Sequence, residues 1–558
     1  MSVFIGYPSF MAYQMMKGKK GNNDDDFPSI SGIIARYSAL GLTNEQMAAN
    51  PVWVDKTGNG HDLQMKNFAW GGMSGIGGYV ENYNRWTKSA VRADITFTDH
   101  SFNVTSVKIN QAQFYYQSSG GEQPFTVPSG TVIVKGLTDG QVLEYIYTDI
   151  EGIHVFTVKN DGIYTLPSFE FIAKGAYYGF QFNKVQESCN ITIEQLPLYP
   201  GFILGDGVDD FAVTENNLDL EDTYTIYTPL ILLKYGGAVC GKNSDKDFSL
   251  NTVISSKSIG FDSANAWSGS IPVDLFEFVL VACKRSPQTM YVKDLVTGKS
   301  NQNKSKEFVP NPRKYFVWRN VGGIWCQVAI AGQIICNGYY STDEDDEKVL
   351  DWYKKQYPWL FFDQAWTVVG KTNEDEDRAT IANITGNGND LVLSNFGFAE
   401  GSGYNEEGEY AGYLVTDGVD DKITSSTFEM GNDWTVIGDW ELINTGKNDN
   451  AGIVKFDSIV IYNYNPILIN IKNGRNHLIP DQNTVNAICS DGRIYSKDWK
   501  ESIYNEETES TSKNLLTIGY SGNSYTKIAF KNLAIYPTVL SKEDCIKAYN
   551  YLQTLKAK

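Results

Sequence analysis

The acidic pentapeptide Asp-Gly-Val-Asp-Asp occurs twice in the chain, at 206–210 and 417–421. Its carboxylates allow two readings. Asp206, Asp209 and Asp210, and likewise Asp417, Asp420 and Asp421, could supply oxygen ligands to calcium, a hard cation that takes about six to eight of them. Alternatively, each copy is a tight Asp-Gly turn between two strands, with the later Asp side chains capping backbone N–H groups. The turn is favoured, because three close acids fall short of a full coordination shell. Thr-Gly-Asn-Gly also occurs twice, at 57–60 and 385–388. It has the glycines of a phosphate loop but lacks the following lysine and helix, so it reads as a Gly-Asn turn.

A third candidate is the Gly-rich aromatic segment 68–86. Trp70, Tyr79, Tyr83 and Trp86 could stack on sugar rings. The plainer reading packs them at a joint between two modules, since aromatics are mostly core or junction residues. The acid-rich runs 342–349 and 373–379 fall at a helix start and in a loop. They read as solvated charge and as compensation of a helix N-terminus. Glycoside hydrolysis needs two carboxylates on one side of a strand, which alternation would provide, and no such strand is found. No nucleophile elbow, phosphate-loop lysine motif or His-Glu-x-x-His is found either. No catalytic residue is therefore assigned. The four histidines (61, 100, 154 and 477) lie far apart and give little support to a His-based metal site.

These residues must be held by strands. Aromatic residues are 13% of the 558, with 51 glycines, which points to a strand-and-turn protein. The net charge of −19 argues against nucleic acid as a partner, and against docking to anionic membranes. No apolar run is long enough to span a bilayer as a helix. Seven scattered cysteines without a Cys-x-x-Cys pair read as reduced thiols. The N-terminus has no basic segment ahead of its apolar start and does not read as a signal peptide.

Three blocks recur in one order: 41–68 against 370–396, the two acidic pentapeptides, and 334–353 against 533–552. Two homologous domains follow from this. Thr57 precedes Asp206 by 149 residues, whereas Thr385 precedes Asp417 by 32, so the first copy holds about 117 more. That additional segment alternates between apolar and polar residues and is broken by Asp-Gly turns, as in a small β-sandwich. Its expected place is a loop tip, where insertion costs little. Each copy ends in a helix. Capping boxes are expected at Ser341/Glu344 and Ser541/Asp544. Val349, Leu350 and Tyr353, and Cys545, Ile546, Tyr549 and Leu552, mark the inner faces. Trp366, Trp434 and Trp440 are expected in the core. The expected division is an arm at 1–32, a first domain at 33–89 and 198–360, an insert at 90–197, and a second domain at 361–558.

The order of Thr-Gly-Asn-Gly, Asp-Gly-Val-Asp-Asp and a closing "LAIYPTVLSKED" (533–544) before a helix resembles concanavalin A-like lectin/glucanase domains. The laminin G-like and pentraxin-like branch is the more similar. The resemblance implies an all-β fold of two antiparallel jelly-roll sandwiches, each closed by a C-terminal helix, with a β-sandwich inserted in the first. Some laminin G-like domains bind calcium at their rim. The tandem arrangement is also similar in style to fibre and appendage proteins of phages infecting gut Bacteroidales. That likeness implies a non-enzymatic virion protein made in the host cytoplasm. Its arm would engage other virion proteins, with Lys17, Lys19, Lys20 and Asp24 to Asp26 in it. Its sandwiches would contact host surface polysaccharide, and the chain would form a homo-oligomer such as a trimer. A lectin-like surface protein, or a polysaccharide-degrading enzyme, are the alternatives.

Overall fold

The computed structural model describes residues 27–558 except 89–92, 108–111, 118–123, 129, 139, 151, 173–175, 184–187, 244–247, 265, 309–312, 320–324, 407, 409, 444–451, 457–458, 463–466, 472–474, 480–484, 498, 504–513 and 522–523. The charged residues of the expected arm lie outside them. The chain divides into two compact units, one running to Gln356 (apart from Gly162–Tyr164) and one over Tyr357–Lys558.

In the first unit a central strand, Tyr224–Leu232, is buried along its whole length. Its sequence is correspondingly apolar, and it is flanked by Phe278–Arg285 on one side and by Gln327–Ile330 and Gly332–Asn337 on the other. The split partner has a local cause. Pro229 has no N–H to donate, and the facing chain breaks at Ala331, whose N–H instead reaches the Pro229 carbonyl at 3.1 Å. A second, eight-stranded sheet runs from Val52–Trp53 to Ala266–Pro272. Residues of both sheets share one core, among them Leu230, Val281, Leu250, Phe261 and Trp318. Among the described residues all sheet pairings are antiparallel, and the layers form sandwiches.

The second unit repeats this order strand for strand. Gly403–Asn405, Tyr413–Val415, Ile528–Tyr536, Thr435–Leu442, Val485–Cys489, Arg493–Ser496 and Glu501–Ile503 neighbour one another in that sequence. Their counterparts in the first unit are Gly75–Ile76, Ile203–Asp206, the split pair, Tyr224–Leu232, Phe278–Arg285, Thr289–Asp294 and Ser300–Lys304. Trp366, Trp434 and Trp440 lie in the second core, as their apolar surroundings in the sequence imply.

The additional residues of the first copy leave from a hairpin. Gly75–Ile76 and Ile203–Asp206 pair directly, Ile76 facing Ile203, just as Gly403–Asn405 pairs with Tyr413–Val415. Between them lie two five-stranded sheets, one built on Gly130–Lys135, Ile191–Gln195 and Ser101–Val107, the other on Val142–Thr148, Tyr177–Asn183 and Ala112–Gln117. Because the base strands stay paired, the host sandwich tolerates the interruption.

The closing helices are Asp343–Gln356 and Lys542–Thr554. The second is capped as expected, with Asp544 N–H donating to Ser541 Oγ at 3.1 Å. The first is capped one residue later than expected. Thr342 and Asp345, not Ser341 and Glu344, exchange the side-chain-to-backbone bonds, at 3.2 and 3.0 Å. Ser341 is diverted: its N–H donates to Thr225 Oγ1 and its hydroxyl to Asp346. Among the described residues no helix is long and apolar enough to cross a membrane.

Candidate functional site

Both acidic pentapeptides form the same turn. Asp206 Oδ1 accepts from the N–H groups of Val208 and Asp209 at 2.8 and 3.3 Å, and Asp210 Oδ2 accepts from Asp206 N–H at 2.9 Å. In the second copy the equivalent distances are 2.7, 3.2 and 2.8 Å. The glycine is needed for two reasons. Gly207 and Gly418 have φ of +75° and +77°, and a Cβ there would come within 3.1 and 3.0 Å of the Gln327 and Lys527 amide nitrogens. Asn67 and Asn395 close each turn by donating to the Asp209 and Asp420 carbonyls, both at 3.0 Å.

The last acid of each turn is buried, the others are not. Burial pushes the Asp210 carboxyl up to about 6, against the opposing pull of the neighbouring Ser74 hydroxyl and the Asp206 N–H. Asp421 is raised for the same reason. Within each turn the three carboxylates approach within 4.8 Å of one another, so they could share a cation. Two of the acids, however, already spend an oxygen on the backbone, and calcium requires about six to eight. Substitution separates the readings. Asp206→Ala and Asp417→Ala are expected to cost about 1–2 kcal/mol each through lost N–H acceptors. Asp209→Ala and Asp420→Ala, whose side chains are exposed, should change stability by less than about 0.5 kcal/mol. Chemical denaturation of the four variants checks this. Millimolar calcium is expected to leave Tm unchanged, and a rise lost in Asp209→Asn and Asp420→Asn would establish a cation site instead.

The Thr-Gly-Asn-Gly segments are turns braced from within. Asp55 accepts from Thr57 N–H at 3.0 Å and from Arg36 N–H at 3.0 Å, and Asn59 donates to the Ile34 carbonyl at 3.0 Å. Asn383, Thr385 and Asn387 repeat this in the second copy. No phosphate cradle is left there.

The four aromatics of 68–86 part company. Tyr83 and Trp86 are 1% and 6% exposed and sit among Phe102, Phe114, Tyr178 and Phe180 in the core of the insert. They offer no free face to a sugar. Trp70 stacks on Phe68 at 5.0 Å and packs against the first core. Tyr79 stacks on His100 at 4.7 Å. His100 in turn bonds Asp99 at 2.8 Å, and Asp99 accepts from Asn44 Nδ2 at 3.1 Å. This chain of contacts ties the insert to the helix Asn44–Ala49 and places Tyr79 at the joint, whereas Tyr83 and Trp86, expected at the joint too, lie inside the insert. Burial would lower the His100 pKa, but the Asp99 carboxylate, with Glu45 and Glu194, holds it above its usual value. The Glu45, Asp99 and His100 cluster comes together only in the fold, from positions 55 residues apart.

Glu81 is the other group that sequence patterning could not single out. It is half-buried beside a small cavity lined by Val80, Tyr145 and Leu166. Tyr178 OH donates to it at 2.8 Å and Trp86 Nε1–H at 3.2 Å. Burial outweighs these donors and pushes its carboxyl up to about 7.

No family model and no curated protein matches the chain. Among solved structures, the botulinum neurotoxin serotype D binding domain is similar at 12% identity, covering 62% of this chain and 90% of its own, with a TM-score of 0.27. The binding domain of botulinum neurotoxin DC in complex with SialylT gives 10% identity, 59% and 88% coverage, and 0.25. A Trypanosoma rangeli sialidase in complex with sialic acid gives 8%, 47% and 62%, and 0.21. At such scores these likenesses carry no argument, and the architecture rests on the sheets described above.

Proposed function

We propose that this chain is a non-enzymatic component of a phage virion, a head or tail fibre or appendage protein whose two concanavalin A-like sandwiches contact glycans on the host surface. The observation that carries the reading is the duplication itself. The same strand order occurs twice with the same acidic corner, so any surface next to that corner is presented in two copies, and paired weak sites gain avidity without new contacts. Within the acid-rich run 342–349, Asp345 caps a helix and Asp346 is consumed in a buried ion pair. The arm would anchor the chain to other virion proteins, and the chain would assemble as a homo-oligomer such as a trimer. The competing reading is a free-standing lectin-like surface protein. Mass spectrometry of purified particles decides between them: the chain co-purifying with virions supports the appendage, and its absence from them removes it. Light scattering reads the oligomeric state, and a monomer would contradict the homo-oligomer.

A further inference from the structure

The residue that follows each acidic turn begins a second duplication. In the first copy Phe211 leaves the turn on the outer face of the strand Phe211–Thr214, with exposed Lys66 directly opposite. Three half-buried rings gather there. Arg319 lies over Phe211 at 4.6 Å, over Trp325 at 4.7 Å and over Phe316 at 5.4 Å. In the second copy Lys422 occupies the position of Phe211, and its ammonium lies 5.9 Å from the ring of Tyr520, which packs on Tyr525 at 5.0 Å.

The two places correspond by backbone. Arg319 bridges Trp325 as Tyr520 bridges Tyr525. The residues just before, Trp318 and Gly519, both have positive φ, +65° and +75°, and both accept at the carbonyl, from Cys326 and Thr526 N–H at 3.0 and 2.9 Å. Between the copies, ring and cation have exchanged places: the cation comes from the loop in one and from the strand in the other. A cation over a ring at an exposed site is a weakly stabilising contact, and it sets a charge beside an apolar surface. Retaining the pair while swapping its parts points to a ligand that needs both.

From this we infer that each corner is a binding site for a carboxylate-bearing pyranose, a sugar of the uronic- or sialic-acid type. The apolar face of the sugar would lie against the ring surface that the cation leaves uncovered. Its carboxylate would meet the guanidinium of Arg319, a fork suited to it, or the ammonium of Lys422. A chain of net charge −19 repels anions at long range, so recognition has to come from these local cations. The inference rests on the glycan-contacting reading above and names its ligand class.

Calorimetric titration of the full chain with trigalacturonate, its methyl ester, sialyllactose and lactose tests it, with Arg319→Gln, Lys422→Gln and the double variant. At least one acidic probe should bind with one ligand per copy, and its neutral counterpart should bind about tenfold more weakly or worse. Each single variant should halve the stoichiometry and the double variant abolish binding, with Tm unchanged. Equal binding of acidic and neutral probes, or wild-type binding by the double variant, overturns the site while leaving a glycan-contacting protein. Binding only to a panel of neutral glycans does the same. Absence of binding to acidic probes and panel alike overturns both.

Discussion

Replacing Asp346 with alanine is expected to destabilise the first unit by about 3–5 kcal/mol. Asp346 sits in the first turn of the closing helix, turned inward, with its side chain 3% exposed. Lys284, equally buried, donates to it at 2.8 Å, and Tyr227 OH donates at 2.9 Å. Lys293 approaches at 3.5 Å. Removing the carboxylate strands the Lys284 ammonium in a site where, among the described residues, only the Ser341 carbonyl still accepts from it, at 3.0 Å. The penalty is that of an uncompensated buried charge, which exceeds the worth of the pair itself. It also frees the helix Asp343–Gln356 from the central strand. Asp343→Ala is the internal control: its side chain is 90% exposed, and loss of its 3.6 Å contact to Lys293 should be worth less than about 1 kcal/mol. Denaturant unfolding of the two variants, with equal m-values, gives the comparison; equal losses would contradict the buried pair.

The second large effect is a stability that falls as pH rises. Glu81 titrates at about 7 in the folded insert, against 4.5 as its ordinary value. The folded state therefore holds the proton more tightly than the unfolded chain. Stability is greatest below about 4.5 and is lost as pH climbs to about 7, by roughly 3 kcal/mol over that window. Most carboxylates have the opposite sign, because salt bridges and N–H donors depress them. Glu81→Gln keeps a neutral side chain of similar size within reach of Tyr178 and Trp86, and should flatten the dependence while raising stability at neutral pH. Thermal melts of both proteins between pH 4.5 and 8 read this directly. A wild-type insert that gains stability across the window, or a variant with an unchanged slope, would refute it.

How much of this was legible in the sequence depends on the kind of signal. The all-β class and the closing helices follow from alternation and caps, which are local. The acidic turns are legible too, because an Asp-Gly pair with further acids has a preferred local hydrogen-bonding pattern. The run 342–349 shows where legibility ends. It reads as solvated charge, and Asp343 fulfils that, but Asp345 and Asp346 are buried. Five neighbouring acids, 343–347, look alike in a sequence; which of them turns inward depends on the sheet the helix lands on. The cap slipped by one residue for the same reason, since Thr225 and Asp346 claim Ser341. Trp86 and Tyr83 likewise look like a sugar platform in a Gly-rich loop until Phe102, Phe114 and Phe180, distant in sequence, close over them. The ring-and-cation corners were illegible because their members are spread over more than 100 positions and exchange type between copies.

The proposal that this is a glycan-contacting appendage and no enzyme is tested most directly by one titration. The intact chain is incubated with capsular polysaccharide from a susceptible host while bound polymer and released reducing ends are measured together. Saturable binding with no release of reducing ends is the predicted result. Release that grows with time, or no binding at any concentration, would contradict it.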